Sequence, residues 1–164
     1  MKTTFCIFDE YGQANKTVSD LMDKQYDPQQ MNAIVLAKVA QNALEGEQHR
    51  VTVEKSSQIG GITARGLDRL FGGEKAIEVH GVGQVYAAGE LATNIVRNAS
   101  APGSIDGDFK DALIEFAVPE GAAGQYQTAV SEGQVLYFIR TDDQEAAKIV
   151  RLLRDSNGKT ITSI

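Results

Sequence analysis

Cysteine, histidine and tryptophan are scarce in this chain of 164 residues, which contains one Cys, two His and no Trp. A single Cys cannot form an intramolecular disulfide, and such low usage fits a reducing compartment. Two His and one Cys also leave little material for a structural zinc site, which usually takes about four nitrogen or sulfur ligands. The composition therefore predicts neither a disulfide framework nor a zinc centre.

The chain also has no excess of positive charge, because it contains 16 Lys and Arg against 22 Asp and Glu, and its net charge is −6. Nucleic acid and anionic membrane surfaces need clustered Lys and Arg, so we expect neither as a partner. No run reaches the roughly 18 apolar residues of a membrane span, and the apolar segment near Met1 is too short for a signal peptide. We expect a soluble, cytoplasmic protein with one domain over residues 1–164.

The N-terminal part has the pattern of a β–α–β unit. Thr4–Phe8 is a short β-prone run, and apolar residues then recur at helical spacing from Ala14 to Met22. Pro28 follows, and a proline cannot continue a helix. Ala33–Val39 is nearly all apolar and predicts a second, buried strand.

The C-terminal part repeats this pattern. Gln134–Arg140 is rich in β-branched and aromatic residues and predicts a strand. Asp142 and Glu145 have the spacing of a capping box, which predicts that a helix begins here. Gly158 occupies the place of a left-handed helix cap, and Thr160–Ile164 predicts a final short strand.

Two β–α–β units of similar length predict an α+β fold with a ferredoxin-like four-stranded sheet and two helices on one face. Residues 41–132 carry weaker signals for helices and short strands, and we interpret them as an insertion in the same domain. The second face of such a sheet needs a cover. Either the insertion or another subunit supplies it, so we expect a homo-oligomer, a dimer in the simplest case, or a protein partner.

The turn at Gly81-Val82-Gly83 invites a phosphate-binding interpretation, but Tyr86 takes the third small position that the dinucleotide fingerprint requires. An ordinary chain turn explains the glycines better. His80, Gly81 and Gly83 are weak candidates for a ligand site at this turn. Cys6 lies inside a predicted strand, where nothing lowers its pKa, so we expect a buried hydrophobe and not a nucleophile. We predict no catalytic residue, no metal ligand and no cofactor.

One resemblance is carried by several motifs along the chain. They are Phe5-Cys6-Ile7-Phe8-Asp9, Gly81–Gly89, Val118-Pro119-Glu120, Tyr126, Gly133-Gln134-Val135-Leu136 and Thr141-Asp142-Asp143. With these motifs the chain resembles the bacterial general stress protein (heat-induced stress protein) domain family over most of its length. The resemblance implies stress-linked expression and no established catalytic residues.

Two functional hypotheses follow. The first is a non-enzymatic stress-response protein that acts by self-association or by binding a partner. The alternative is a small-ligand sensor or regulatory domain with a pocket near the Gly81–Gly83 turn, an idea that rests on analogy between folds.

Overall fold

The computed structural model describes residues 1–48, 66–72, 76–79, 82–99 and 108–164, without the side chains of 43–48, 96–99 and 108. Within these ranges the strands are β1 (Lys2–Phe8), β2 (Met31–Leu36), β3 (Ile77–Val79), β4 (Gly83–Ala88), β5 (Val135–Thr141) and β6 (Lys159–Ser163). They form one sheet in the order β3-β4-β2-β5-β1-β6, and every neighbouring pair is antiparallel.

Helices precede or follow most of these strands. They are α1 (Tyr11–Asp23), α2 (Ala37–Gln48), α3 (Leu67–Phe71), α4 (Glu90–Ala99), α5 (Asp108–Ile114), α6 (Glu120–Ser131) and α7 (Asp143–Asp155). A 3-10 turn, Pro28–Gln30, closes the connection from α1 to β2. The fold is α+β, as the sequence predicts.

Both predicted β–α–β units are present, and they interlock. The strands of the first unit, β1 and β2, flank β5, while the strands of the second unit, β5 and β6, flank β1. The predicted strand number is wrong, because the sheet has six strands in the described ranges and not four. The hairpin of β3 and β4 lies outside β2, with Leu36 opposite Val85. Since β2 is buried along its whole length, its second edge needs a hydrogen-bonding neighbour, which β4 provides.

Two local predictions also need correction. The apolar run Ala33–Val39 is strand only to Leu36, and α2 begins directly at Ala37. A continuous apolar run does not distinguish a buried strand from the buried first turn of a helix. At the end of α7 the left-handed residue is Asn157, with φ of 66°, while Gly158 N–H donates to the Leu153 carbonyl at 2.8 Å.

Helices cover both faces of the sheet. On one face α1, α3, α7 and the start of α2 bury a core that includes Phe8, Val18 and Tyr137. On the other face α4, α5 and α6 bury a core that includes Phe5, Leu91 and Phe138. The middle of the chain therefore covers the face that the sequence left open. An uncovered sheet face is accordingly no longer a reason to expect a second subunit.

A buried side chain ties this middle segment to the sheet. Asn32 in β2 is 2% exposed, and its Oδ1 accepts the backbone N–H of Leu91 in the first turn of α4 at 2.9 Å. A Cβ on Gly89 would lie 2.5 Å from the same oxygen, and Gly89 has φ of 84°. Asn32 thus caps a helix that begins far away in sequence.

Gly158→Ala is expected to destabilise the protein by about 1–3 kcal/mol, because overpacking forces neighbours to shift. A Cβ at this position would lie 2.3 Å from Cys6 Sγ and 2.7 Å from the Leu153 carbonyl oxygen. Gly124→Ala on α6 is the control, since a Cβ there meets nothing within 4 Å. The control should leave stability unchanged or raise it by up to about 1 kcal/mol. Urea unfolding measures both variants, and equal stabilities would contradict the packing argument.

Candidate functional site

A groove of about 660 Å³ runs between α6 and the start of β6, and we call it the α6–β6 groove. Its volume lies in the range typical of small-molecule sites, about 300–1,000 Å³. It is lined by Ile7, Gly121, Gly124, Gln125, Tyr126, Thr128, Ala129, Glu132, Gln134, Lys159 and Thr160. Three strand ends and one helix therefore meet in one concave surface.

The helical wall of the groove presents small and polar residues. A Cβ on Gly121 or Gly124 would meet no atom within 4 Å, so the backbone of α6 is open to the groove. Thr128 Oγ1 donates to the Gly124 carbonyl at 3.1 Å, which leaves its lone pairs free to accept. Glu132 follows the last turn of α6 as its C-cap residue and is exposed. This wall offers mainly acceptors.

The strand wall contains an irregular backbone. Between Phe5 and Ile7 of β1 the register with β6 shifts, so β6 carries one extra residue as a β-bulge. Thr160 lies in this bulge with φ of 51°, a left-handed conformation that a β-branched residue rarely adopts. The Tyr126 hydroxyl donates to the Thr160 carbonyl at 3.4 Å and links the bulge to α6. Backbone in such a conformation is often found at ligand sites.

Three polar side chains meet beside the strand wall. Asp9, just after β1, accepts from Gln134 Nε2 at 2.5 Å and from the Lys159 ammonium. The hydrogen bond from Lys159, and secondly the one from Gln134, lower the pKa of the Asp9 carboxyl below its ordinary value. The cluster connects the loop after β1 with the beginnings of β5 and β6. It holds Lys159 at the rim of the groove, with one of the three donors of its side chain directed to Asp9.

Cys6 lies near the groove but is closed off from it. Its side chain is 0% exposed, and burial raises its pKa to about 12. The thiol is therefore protonated at neutral pH and is a poor nucleophile, in agreement with its predicted role as a buried hydrophobe.

Of the site residues predicted from sequence, Gly83 alone falls in the described ranges, and it lines a different cavity. His80 and Gly81 lie outside the described residues. Gly83, with φ of 113°, begins β4 and lines a separate cavity of about 370 Å³ together with Leu36, Ala37, Lys38, Gln41, Val82, Gln84 and Ser131. We call it the Gly83 cavity. The structure does not bring Gly83 to the α6–β6 groove.

Sequence reasoning did not identify the groove residues Glu132, Lys159 and Thr160. Tyr126 is a core residue at 1% exposure, and its hydroxyl reaches the bulge. No motif joins these residues, because they come from α6 and from a strand almost thirty positions later. The bulge that brings Thr160 to the rim could not be predicted, because no turn-forming dipeptide marks it in the sequence.

Further observations bear on the chemistry of the described ranges. No group of three or more His, Cys, Asp or Glu in them could hold a metal ion. None of the helices described is both long enough and apolar enough to cross a membrane. Comparisons of the chain with protein-family models, with curated proteins and with solved structures give no match. The resemblance to the general stress protein family stays a prediction.

Asp9→Asn is expected to remove a pH-dependent part of the stability. Because the folded pKa of Asp9 is lowered, its contribution is complete above the unfolded pKa of about 3.9 and is lost as the pH falls through the folded pKa. The stability difference between wild type and variant should therefore be largest near neutral pH and shrink below about pH 4. Denaturant unfolding across acidic pH measures it, with Asp111→Asn, an exposed acid on α5, as the control. A difference independent of pH would contradict the role of the Asp9 cluster.

Proposed function

We propose that this protein is a non-enzymatic stress-response protein of the cytoplasm that acts by self-association through the outer edge of β6. The observation that carries the proposal is the position of β6, which among the described strands is hydrogen-bonded on one side only, while helices cover both faces of the sheet. Exposed edges are where sheets add further strands. The stress-response part rests on the resemblance to the general stress protein family.

The hydrogen bonds of β6 show which groups face outward. Ile164 and Thr3 exchange both of their backbone hydrogen bonds at 2.9 Å, so they form a hydrogen-bonded pair of the ladder. Ser163 lies opposite Thr4 in the next, non-hydrogen-bonded pair, and their hydroxyl oxygens are 3.3 Å apart. The N–H and C=O of Ser163 therefore point away from β1. By the same alternation, so do those of Ile161.

A second copy of this strand fits such an edge. In a two-fold antiparallel pair, Ile161 of each copy lies opposite Ser163 of the other, and Thr162 lies opposite its own equivalent. Cross-strand Thr pairs are favourable, and β6 contains no acidic residue that would oppose a like charge. At the other edge, β3 has only three residues and offers a much shorter ladder.

The same topology supports the ferredoxin-like interpretation of the central strands. The strands of the two β–α–β units lie in the order β2-β5-β1-β6, which is an interlocked, split β–α–β arrangement. We regard the β3–β4 hairpin as an extension of this unit beside β2. In this view β6 is the edge strand at the opposite end of the described sheet, where we propose self-association.

Ser163→Pro tests the proposed edge. Proline removes the outward N–H of Ser163 while leaving the hydrogen bonds of the β1–β6 ladder, and prolines are accepted on edge strands. Sedimentation of the wild type from micromolar to millimolar concentration should show a reversible dimer, and the Pro variant should remain a monomer. Ser163→Ala keeps the N–H and should dimerise like the wild type.

Several outcomes would contradict the proposal. A wild-type monomer throughout this range would exclude self-association, and equal dimerisation of the Pro and Ala variants would place the contact elsewhere. Circular dichroism and thermal unfolding establish that the Pro variant is folded. A folded wild-type monomer that captures a strand-forming peptide along β6 would replace self-association by partner binding.

The alternative function, a small-ligand sensor, is favoured by one observation. It is the Gly83 cavity, which Val82 and Gly83 line at the start of β4 and to which Lys38, in the first turn of α2, contributes a cationic side chain. A thermal-shift panel of nucleotides and organic acids tests this function, since a ligand at 100-fold over its Kd adds about 2.7 kcal/mol. Lys38→Gln should abolish such a shift, while Lys16→Gln, an exposed site on α1, should preserve it. The absence of any shift across the panel would overturn the sensor hypothesis.

A further inference from the structure

The α6–β6 groove carries opposite charges on its two walls. Glu132 is exposed at the end of α6, and in the described part of the chain no side chain forms an ion pair with it. Lys159 lines the facing wall at the start of β6. A ligand that lies between α6 and β6 therefore meets a carboxylate on one side and an ammonium on the other.

Without a bound ligand, the position of Glu132 at the end of its helix is electrostatically unfavourable. It is the C-cap residue of α6, where the helix dipole is negative and unpaired carbonyl groups face outward. A carboxylate at this end is repelled by the dipole, and no described cation compensates for it. Carboxylate and helix end together attract a positively charged group, such as an ammonium.

The floor of the groove is apolar. It is formed by Ile7, Tyr126 and Ala129, which are 3%, 1% and 9% exposed. At Gly121 and Gly124 the adjoining wall carries no side chain, which widens the groove beside this floor. The aliphatic part of a ligand lying there would be buried from water, and each Å² of apolar surface buried contributes about 25 cal/mol of favourable free energy.

We propose that the α6–β6 groove binds a small zwitterion with an apolar body, namely an apolar amino acid or a dipeptide of such residues. Its ammonium contacts Glu132 and the end of α6, its carboxylate contacts Lys159, and its side chain lies on the Ile7–Tyr126 floor. This site lies beyond the proposed self-association, because it uses the inner side of β6 and not its outward edge.

The charges around the groove favour a zwitterion over a simple ion. A plain anion near Lys159 also meets the carboxylates of Asp9 and Glu132, and a plain cation near Glu132 also meets the ammonium of Lys159. Asp9 uses one donor of the Lys159 ammonium, which has three. A volume of about 660 Å³ has room for a dipeptide.

Calorimetric titration of the full-length protein with L-leucine and with Leu-Leu tests the proposal. Leucinamide lacks the carboxylate and N-acetylleucine lacks the ammonium, so each should bind at least about tenfold more weakly than leucine, the value of one charged hydrogen bond. Glu132→Gln should weaken leucine binding about tenfold and should not weaken the binding of N-acetylleucine, which has no ammonium for Glu132 to contact. Asp111→Asn, an exposed acid outside the groove, should change neither.

Three results would overturn the proposal. They are no heat of binding with leucine or Leu-Leu up to millimolar concentration, equal affinity for leucine and N-acetylleucine, and leucine binding that is indifferent to Glu132→Gln. Ser163→Pro should still bind leucine if the two surfaces are independent. Loss of self-association and loss of ligand binding are therefore distinguishable.

Discussion

The antiparallel pairing of β1 with β5 is the interaction on which the rest of the structure depends. It joins Lys2–Phe8 to Val135–Thr141 across almost the whole chain, and every residue of β1 has a partner in β5. The pair places Phe5 against Phe138, with ring centroids 4.6 Å apart, on one face and Cys6 beside Tyr137 on the other. Each buried aromatic ring of this kind contributes about 1.5–3 kcal/mol relative to exposure. Both helical layers therefore pack on surfaces that exist only after the two ends of the chain have met.

The candidate surfaces follow from this central pair. In the described part of the sheet β6 pairs with β1 alone. Helix α6 packs over β5 and stacks Tyr126 on Phe5 with ring centroids 5.7 Å apart. The α6–β6 groove is the space that remains between these two attachments. The bulge at Thr160 lies in β6 beside this space. Lys159, the first residue of β6, is held at the rim by its hydrogen bond to Asp9. One strand thus carries both the edge of the proposed self-association and a wall of the proposed ligand site.

Most of the local structure was predictable. The stripe of Ala14, Val18 and Leu21 is buried as helical spacing predicts, and Asp142 Oδ1 accepts the Glu145 N–H at 2.7 Å as the capping pattern predicts. These predictions succeed because periodicity and capping depend on neighbours within about four residues. The end of β2 at Leu36 was predicted three residues too late, because the apolar run continues into a helix whose first turn is also buried. The addition of β3 and β4 to the sheet depends on pairing with β2, for which a single sequence contains no register signal.

The candidate site shows the same division. By itself the sequence determined the two β–α–β units and the buried state of Cys6, and of the Gly81–Gly83 turn that it offered as a weak ligand-site candidate, Val82 and Gly83 lie in the described residues. The tertiary structure decided that the middle of the chain covers the second face and that Glu132 and Lys159 face one groove. The tertiary structure also decided that Asn157 adopts the left-handed conformation and that position 158 has no room for a Cβ beside Cys6. The physical reason is range: helix and strand formation are set by side chains a few residues apart, whereas a groove is set by the distance between elements that only packing brings together.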